Sequence, residues 1–260
     1  MSATGKMLGS SSSFSTRISL RWVPEIPEET TDTIVLSVGG WFVDLRMDKA
    51  SGQIDWAMAG TRVEENPNQI PVKTLFTREL DSLNEIGIVD VGNFSPLPNG
   101  DDLECGEMPR ADLPGAPMTG FEEVWRELPF REGPEGAKRG ISWILESDDP
   151  MEFREGEEIS VTKMFLGRIW GTYLAFRQVQ THTRQKEGGE LVVKRTGAEV
   201  SARREEWSSG SWEEKYLVGP DGGAVPSMSG FDVEEKGWKV GERVVIDQRS
   251  YIVRAFEEIQ

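Results

Sequence analysis

Cysteine and histidine are almost absent from this chain, which has one of each, Cys105 and His182, in 260 residues. A single cysteine excludes a disulfide within the chain, and together with one histidine it leaves too few soft ligands for a zinc or iron–sulfur site. The glycine pairs are not followed by the Lys-Ser or Lys-Thr of a phosphate-binding loop, nor do they form a dinucleotide fingerprint. We therefore predict no metal and no cofactor, and a reducing, cytoplasmic compartment.

Basic residues and long apolar runs are also scarce. Lysine and arginine number 29 against 45 aspartate and glutamate residues, which gives a net charge of −16. Such a surface repels nucleic acid and anionic membranes, so we expect neither as a partner. No apolar stretch is long enough for a signal peptide or a membrane span. The acidity serves solubility or, alternatively, provides a docking face for a basic protein.

Aromatic residues and glycine, by contrast, are plentiful and occur together. Ile54–Thr61 and Gly167–Tyr173 are short aromatic segments broken by glycine, and the chain has nine tryptophans. Glycine lets a strand bend, and a large aromatic side chain fills the space behind the bend. The sequence therefore predicts an all-β fold with two consecutive antiparallel β-barrels.

Alternating residues and a change of composition suggest where the two barrels lie. Val43, Leu45 and Met47 alternate with polar neighbours, and we expect this apolar set to face the barrel interior. Between Asn84 and Gly120 the sequence is rich in Gly, Pro and acids, which is typical of a linker or a functional loop. The predicted organisation is a flexible tail over 1–16, an N-terminal barrel with a long Gly/Pro loop over 17–119 and a C-terminal barrel over 120–260.

Six segments recur in a known order along nearly the whole chain, namely Ile18–Trp22, Val43–Arg46, Ile54–Gly60, Leu97–Asp101, Glu122–Arg126 and Val253–Glu258. Together they resemble the fungal Hri family. The resemblance implies two consecutive calycin-like, lipocalin-type barrels, and a possible protein partner, because the yeast member is named for interacting with a casein-kinase-I-type kinase. One local departure is Leu75–Ser82, where relatives tend to have a Trp-rich strand, so a ligand shared by the family is not implied here.

Aromatic and sulfur side chains on the predicted strands are candidates for the walls of a ligand pocket. A barrel of this size either fills with side chains or holds one small ligand. Flat hydrophobic ligands stack on aromatic rings, although each of these residues could equally belong to a packed core. The predicted ligand-binding residues are Trp56, Met58, Phe76, Trp125 and Trp170.

Three polar residues near the second aromatic segment are candidates for hydrogen-bond donors to a ligand. Arg168 lies two residues from Trp170 on the same strand face, Tyr173 follows, and His182 comes at the end of the apolar run. Each has a plainer interpretation as an ion-paired, core or loop residue. If they do face a pocket, they could polarise a reacting carbonyl or π-system.

Two functions of different classes follow. The first is binding of a hydrophobic, polyketide- or terpenoid-like molecule and its cofactor-free cyclisation by a pericyclase of the Diels–Alder or hetero-Diels–Alder type in fungal natural-product biosynthesis. A shaped pocket with one or two donors is enough for such a reaction, and calycin-like barrels with this activity are a fold-level analogy. The second is a non-catalytic module that binds a casein-kinase-I-type kinase or another basic protein, as the resemblance implies.

Overall fold

The computed structural model describes residues 11–110, 112–149, 154–187, 190–231 and 233–259, and eight strands in its first half close into an antiparallel barrel. Each strand pairs with the next along the chain, and the first pairs with the eighth. The strands are β1 (Ser12–Trp22), β2 (Thr31–Val38), β3 (Trp41–Asp48), β4 (Ile54–Glu65), β5 (Val72–Asp81), β6 (Val89–Pro96), β7 (Asp102–Pro109) and β8 (Met118–Glu127).

The second half forms an eight-stranded sheet that stays open. Its strands are β9 (Gly140–Ser147), β10 (Glu158–Ile169), β11 (Thr172–Glu187), β12 (Glu190–Gly197), β13 (Ser201–Ser208), β14 (Ser211–Val218), β15 (Arg243–Ile246) and β16 (Arg249–Ile259). Its order is β14-β13-β11-β10-β9-β16-β15, with β12 paired to the far end of β11. Two short 3-10 turns, Gly222–Ala224 and Met228–Gly230, lie in the long connection before β15.

The barrel and the open sheet share one hydrophobic core. Val43 and Leu45 of β3 belong to the same buried cluster as Phe165 and Leu174 of β10 and β11. These β3 side chains therefore point out of the barrel toward the sheet, which corrects the expectation that they line its interior. The physical reason is that the sheet covers this side of the barrel, so both faces of β3 are buried.

The all-β class and the presence of two successive β-units are confirmed, although only the first unit closes. The stretch read as a loop from Asn84 to Gly120 instead holds β6 and β7 and the start of β8. Its glycines make room for neighbouring side chains: a Cβ on Gly92 would lie 2.1 Å from Glu104, and one on Gly106 2.6 Å from Phe121. The first sheet thus continues through Glu127, past the expected boundary at 119.

The structure also differs from the sequence-based expectations for the N-terminal tail and for the second aromatic segment. Of the predicted flexible tail, Ser12–Thr16 belongs to β1, and residues 1–10 lie outside the described residues. The segment Gly167–Tyr173 is a hairpin rather than one bent strand, since Ile169 pairs with Thr172 across Trp170 and Gly171. No helix in the described ranges is long and apolar enough to cross a membrane.

Candidate functional site

The barrel encloses a cavity of about 550 Å³. Because side chains alternate along each strand, Phe42, Asp44 and Arg46 of β3 point into it, while Val43 and Leu45 point out. Four of the five predicted ligand-binding residues line it, namely Trp56, Met58, Phe76 and Trp125. The aromatic lining residues are Phe42, Trp56, Phe76, Phe94, Phe121 and Trp125.

Arg46 lies between two indole rings at one side of this cavity. Its guanidinium carbon is 4.8 Å from the ring centre of Trp56, which is its partner across β3 and β4, and 5.5 Å from that of Trp125. The same guanidinium is 2.9 Å from Asp44 and 3.2 Å from Glu123. Arg46 is therefore held by two π faces and two carboxylates in a site that is almost fully buried.

A second buried arginine completes the ion pairs of Glu123. Arg17 of β1 donates to Glu123 at 2.5 Å and to Glu29 at 2.7 Å. Glu123 thus has two arginine partners, Arg17 and Arg46. Its charge is compensated within the barrel wall.

Glu104 is one of the buried carboxyls of this site that sequence reasoning missed, together with Asp44 and Glu123. It is the cross-strand partner of Glu123 on β7 and β8, and it accepts a hydrogen bond of 2.8 Å from Trp125 Nε1. Among the described ion pairs, none involves Glu104. Burial first, and then the neighbouring charge of Glu123, raise the pKa of Glu104 to about 8. Near neutral pH this carboxyl is therefore protonated and can donate a hydrogen bond into the cavity.

Trp56 is oriented by a second group of charged residues. Its Nε1 donates to Asp81 at 3.0 Å, and the guanidinium of Arg78 lies 5.4 Å from its ring centre. Arg78 forms ion pairs with Asp81 at 2.7 Å and with Asp90 at 3.2 Å. Burial raises the pKa of both Asp81 and Asp90. Both indole N–H groups of the Arg46 site are thus bonded to carboxyls, which fixes the orientation of the two rings.

The predicted donors Arg168 and Tyr173 lie in the second sheet and do not line the cavity. Arg168 is fully engaged: Nε donates to Trp170 O at 2.7 Å, and the guanidinium also contacts Glu135 and Glu235. Tyr173 donates to the carbonyl of Pro226 at 3.0 Å, and burial raises its pKa. The structure does not bring these two residues to the walls formed by Trp56 and Trp125.

His182 and Trp170 are also separate from the barrel cavity. His182 is buried beside a polar cavity of about 310 Å³, with Nε2 3.0 Å from Gln180 Oε1. Burial first, and then Arg195 and Lys163, lower its pKa. Trp170 lies at the β10–β11 turn in the shared core, with its ring 5.4 Å from that of Phe130.

Because the pKa of Glu104 is raised, the free energy of unfolding should depend on pH, and Glu104→Gln should remove this contribution. A carboxyl whose folded pKa lies above its ordinary value of 4.5 stabilises the fold below pH 4.5, and this contribution is lost as pH rises through 8. The loss is at most about 1.4 kcal/mol per pH unit. We therefore expect wild type to lose about 1–3 kcal/mol relative to Glu104→Gln between pH 6 and pH 8.

Urea unfolding at the two pH values measures this difference. Glu122→Gln is the matched control, because Glu122 lies on β8 next to Glu123, does not line the cavity and pairs with the half-exposed Arg21 at 2.6 Å. It should follow wild type. Equal pH dependence of wild type and Glu104→Gln would show that Glu104 ionises normally.

Comparison with known proteins identifies relatives only at the level of family and fold. A family model described as Protein HRI1 matches residues 13–254. A crystal structure of an uncharacterized protein from Saccharomyces cerevisiae superposes with a TM-score of 0.65 at 15% identity, covering 95% of this chain and 99% of that chain. At this identity the similarity shows the fold alone. No curated protein matches.

Proposed function

The chain belongs to the HRI1 family, and we propose that its first barrel binds a flat, hydrophobic small molecule that carries one polar group. The observation that carries this proposal is the cavity of about 550 Å³ inside a closed barrel. Ligand pockets are commonly about 300–1,000 Å³ and combine apolar walls with a few placed polar groups. This cavity has both features.

The walls of the cavity support a flat ligand body. Phe42 and Phe76 meet edge to face with ring centres 5.6 Å apart, and Phe94 is 6.2 Å from Phe76. With Met58 these rings form an apolar wall. Glu104 and the Trp125 indole supply the polar end. A planar molecule can therefore stack on the rings while one polar atom bonds to Glu104.

Binding is tested with diphenylhexatriene, a neutral, flat polyene whose fluorescence rises in apolar surroundings. We expect wild type to bind it with micromolar affinity and to show reduced tryptophan emission, because Trp56 and Trp125 line the cavity. Met58→Trp, which places an indole ring in the cavity where the ligand would stack, should weaken binding at least about tenfold, the equivalent of about 1.4 kcal/mol.

Val63→Trp is the matched control for this experiment. Val63 lies on the same strand, β4, but is 53% exposed and does not line the cavity. It should bind the probe as wild type does. Undiminished binding by a folded Met58→Trp protein would place the probe outside the barrel and remove the support for this function.

A cofactor-free cyclisation is the reaction we propose for the bound molecule. Rigid walls would restrict the bound molecule to reactive conformers, and Glu104, bonded to the polar group of the ligand, would polarise the adjoining π-system. Glu104 takes the role that the sequence suggested for Arg168, Tyr173 and His182. A cyclisation conserves mass, so a ligand released after turnover should keep its mass and change its ultraviolet spectrum.

The kinase-binding alternative is distinguished by the same experiments. If no probe binds and no small molecule remains with the protein in native mass spectrometry, the barrel does not serve as a pocket. Capture of a casein-kinase-I-type kinase by the purified protein would then favour an interaction module. The cytoplasmic location stays a prediction from the single cysteine.

A further inference from the structure

We infer that the polar group of the ligand is cationic, so that the first barrel takes an aromatic or polyunsaturated amine or quaternary ammonium compound. This inference rests on the proposed binding function and names its ligand class.

The lining of the cavity is strongly acidic. Among the described residues that line it, nine are carboxylic acids and two are arginines. Arg17 and Arg78, beside the lining, pair with Glu123, Glu85 and Asp90, but the remaining excess of carboxyls disfavours an anionic ligand and favours a cationic one. The acids are Asp44, Glu64, Glu85, Asp90, Asp102, Glu104, Glu107, Glu123 and Glu127, and the arginines are Arg46 and Arg62.

Both lining arginines already have carboxylate partners. Arg46 is paired with Asp44 and Glu123, and Arg62 is 2.9 Å from Glu64. The Arg46 guanidinium also lies over the indole rings of Trp56 and Trp125. Neither arginine is therefore placed to receive an anionic ligand without giving up an existing pair.

Glu104 is the lining carboxyl best placed to receive a cation. It is 8% exposed, and its hydrogen bond from Trp125 is the contact that holds it. Phe94 is its partner across β6 and β7, so an aromatic ring lies beside the carboxyl. A carboxylate next to aromatic rings is the combination that binds ammonium groups. The same barrel already holds the Arg46 guanidinium in this way.

Proton binding at Glu104 supports this inference. Burial and Glu123 raise its pKa to about 8, and the nearby charge of Arg46, which pairs with Asp44 and Glu123, offsets this only in part. A bound cation would favour the carboxylate and release the proton. Cation affinity should therefore increase as pH rises toward 8, by up to about tenfold per pH unit below the pKa.

Three probes with one polyene body and different head charges test the inference. They are diphenylhexatriene, its trimethylammonium derivative and its propionic acid derivative. At pH 8 we expect the trimethylammonium probe to bind at least about tenfold more tightly than the neutral one, and the propionate to bind most weakly. At pH 6 the advantage of the cation should shrink.

Glu104→Gln separates the roles of the carboxyl and the cavity. It should weaken binding of the trimethylammonium probe at least about fivefold and leave the affinity for the neutral probe within about twofold of wild type. Glu122→Gln, outside the cavity on β8, should change neither. Met58→Trp should weaken both.

Each contrary outcome has a different meaning. Equal or tighter binding of the neutral or anionic probe by wild type would overturn the cationic inference while the binding function stands. Undiminished binding of the trimethylammonium probe by Met58→Trp would overturn it too, because the cation would then sit on the acidic surface. Failure of all three probes would reject the proposed function itself.

Discussion

Replacing Arg46 with methionine should lower the free energy of unfolding by about 3–5 kcal/mol, the typical cost of removing one partner from a buried ion pair. The substitution keeps an unbranched side chain between Trp56 and Trp125 but leaves Asp44 without its arginine. Glu123 would keep only Arg17. Asp44 is nearly fully buried, so its charge has no access to solvent that would replace the lost partner.

Urea unfolding followed by circular dichroism and tryptophan fluorescence measures this loss. The matched control is Arg62→Met, which also lines the cavity but is 32% exposed and pairs only with Glu64 among the described ion pairs. It should cost less than about 1 kcal/mol. Adding Asp44→Asn to Arg46→Met should recover part of the stability, since it removes the orphaned charge. Equal effects of Arg46→Met and Arg62→Met would contradict the buried arrangement.

The walls of the cavity could be predicted from sequence because strand alternation is a local property. Trp56 and Met58 are two residues apart on β4, so they necessarily share a face, and the structure places that face inside the barrel. Trp125 lines the same cavity but belongs to β8 of the first barrel rather than to the second unit. Alternation therefore predicted which side chains line the cavity, but it did not predict which of the two β-units each of them belongs to.

Alternation cannot tell which face of a strand is the inside of a barrel. Val43 and Leu45 look like interior residues, yet they face the second sheet, and Asp44 and Arg46 take the interior positions. Burial of both faces follows from the packing of two units distant in sequence. No local pattern in β3 carries that information.

The positions of the polar residues could not be predicted, because they are set by contacts between residues distant in sequence. Glu104 lies in a stretch that reads as a loop, and its place is set by Gly92 and by Glu123 on another strand. From sequence, Arg168 looks like a residue that could polarise a ligand. In the structure it forms ion pairs with Glu135 and Glu235, which lie in loops distant in sequence. One signal was available in the sequence. Phe121, Glu123 and Trp125 alternate along β8, and this pattern indicates that a carboxylate and two aromatic rings share the interior face of that strand.

Replacing Phe165 with alanine should lower the free energy of unfolding by about 3–5 kcal/mol, the usual range for a fully buried phenylalanine. Phe165 is on β10, but its ring lies 6.2 Å from that of Trp41 on β3, and it is fully buried in the core that joins the barrel to the sheet. The loss should therefore appear in both units. Hydrogen exchange of β3 and β10 amides measures it in each.

The matched control is Phe94→Ala, because Phe94 is half-buried in the cavity wall and is not part of the shared core. It should cost less than Phe165→Ala, and its effect on exchange should be confined to the barrel. A Phe165→Ala protein in which β10 exchanges faster while β3 is unchanged would mean that the units unfold independently. Coupled loss in both would instead mean that the rigidity of the ligand cavity depends on the second sheet, since the outer face of β3 is part of the shared core while its inner face carries Arg46.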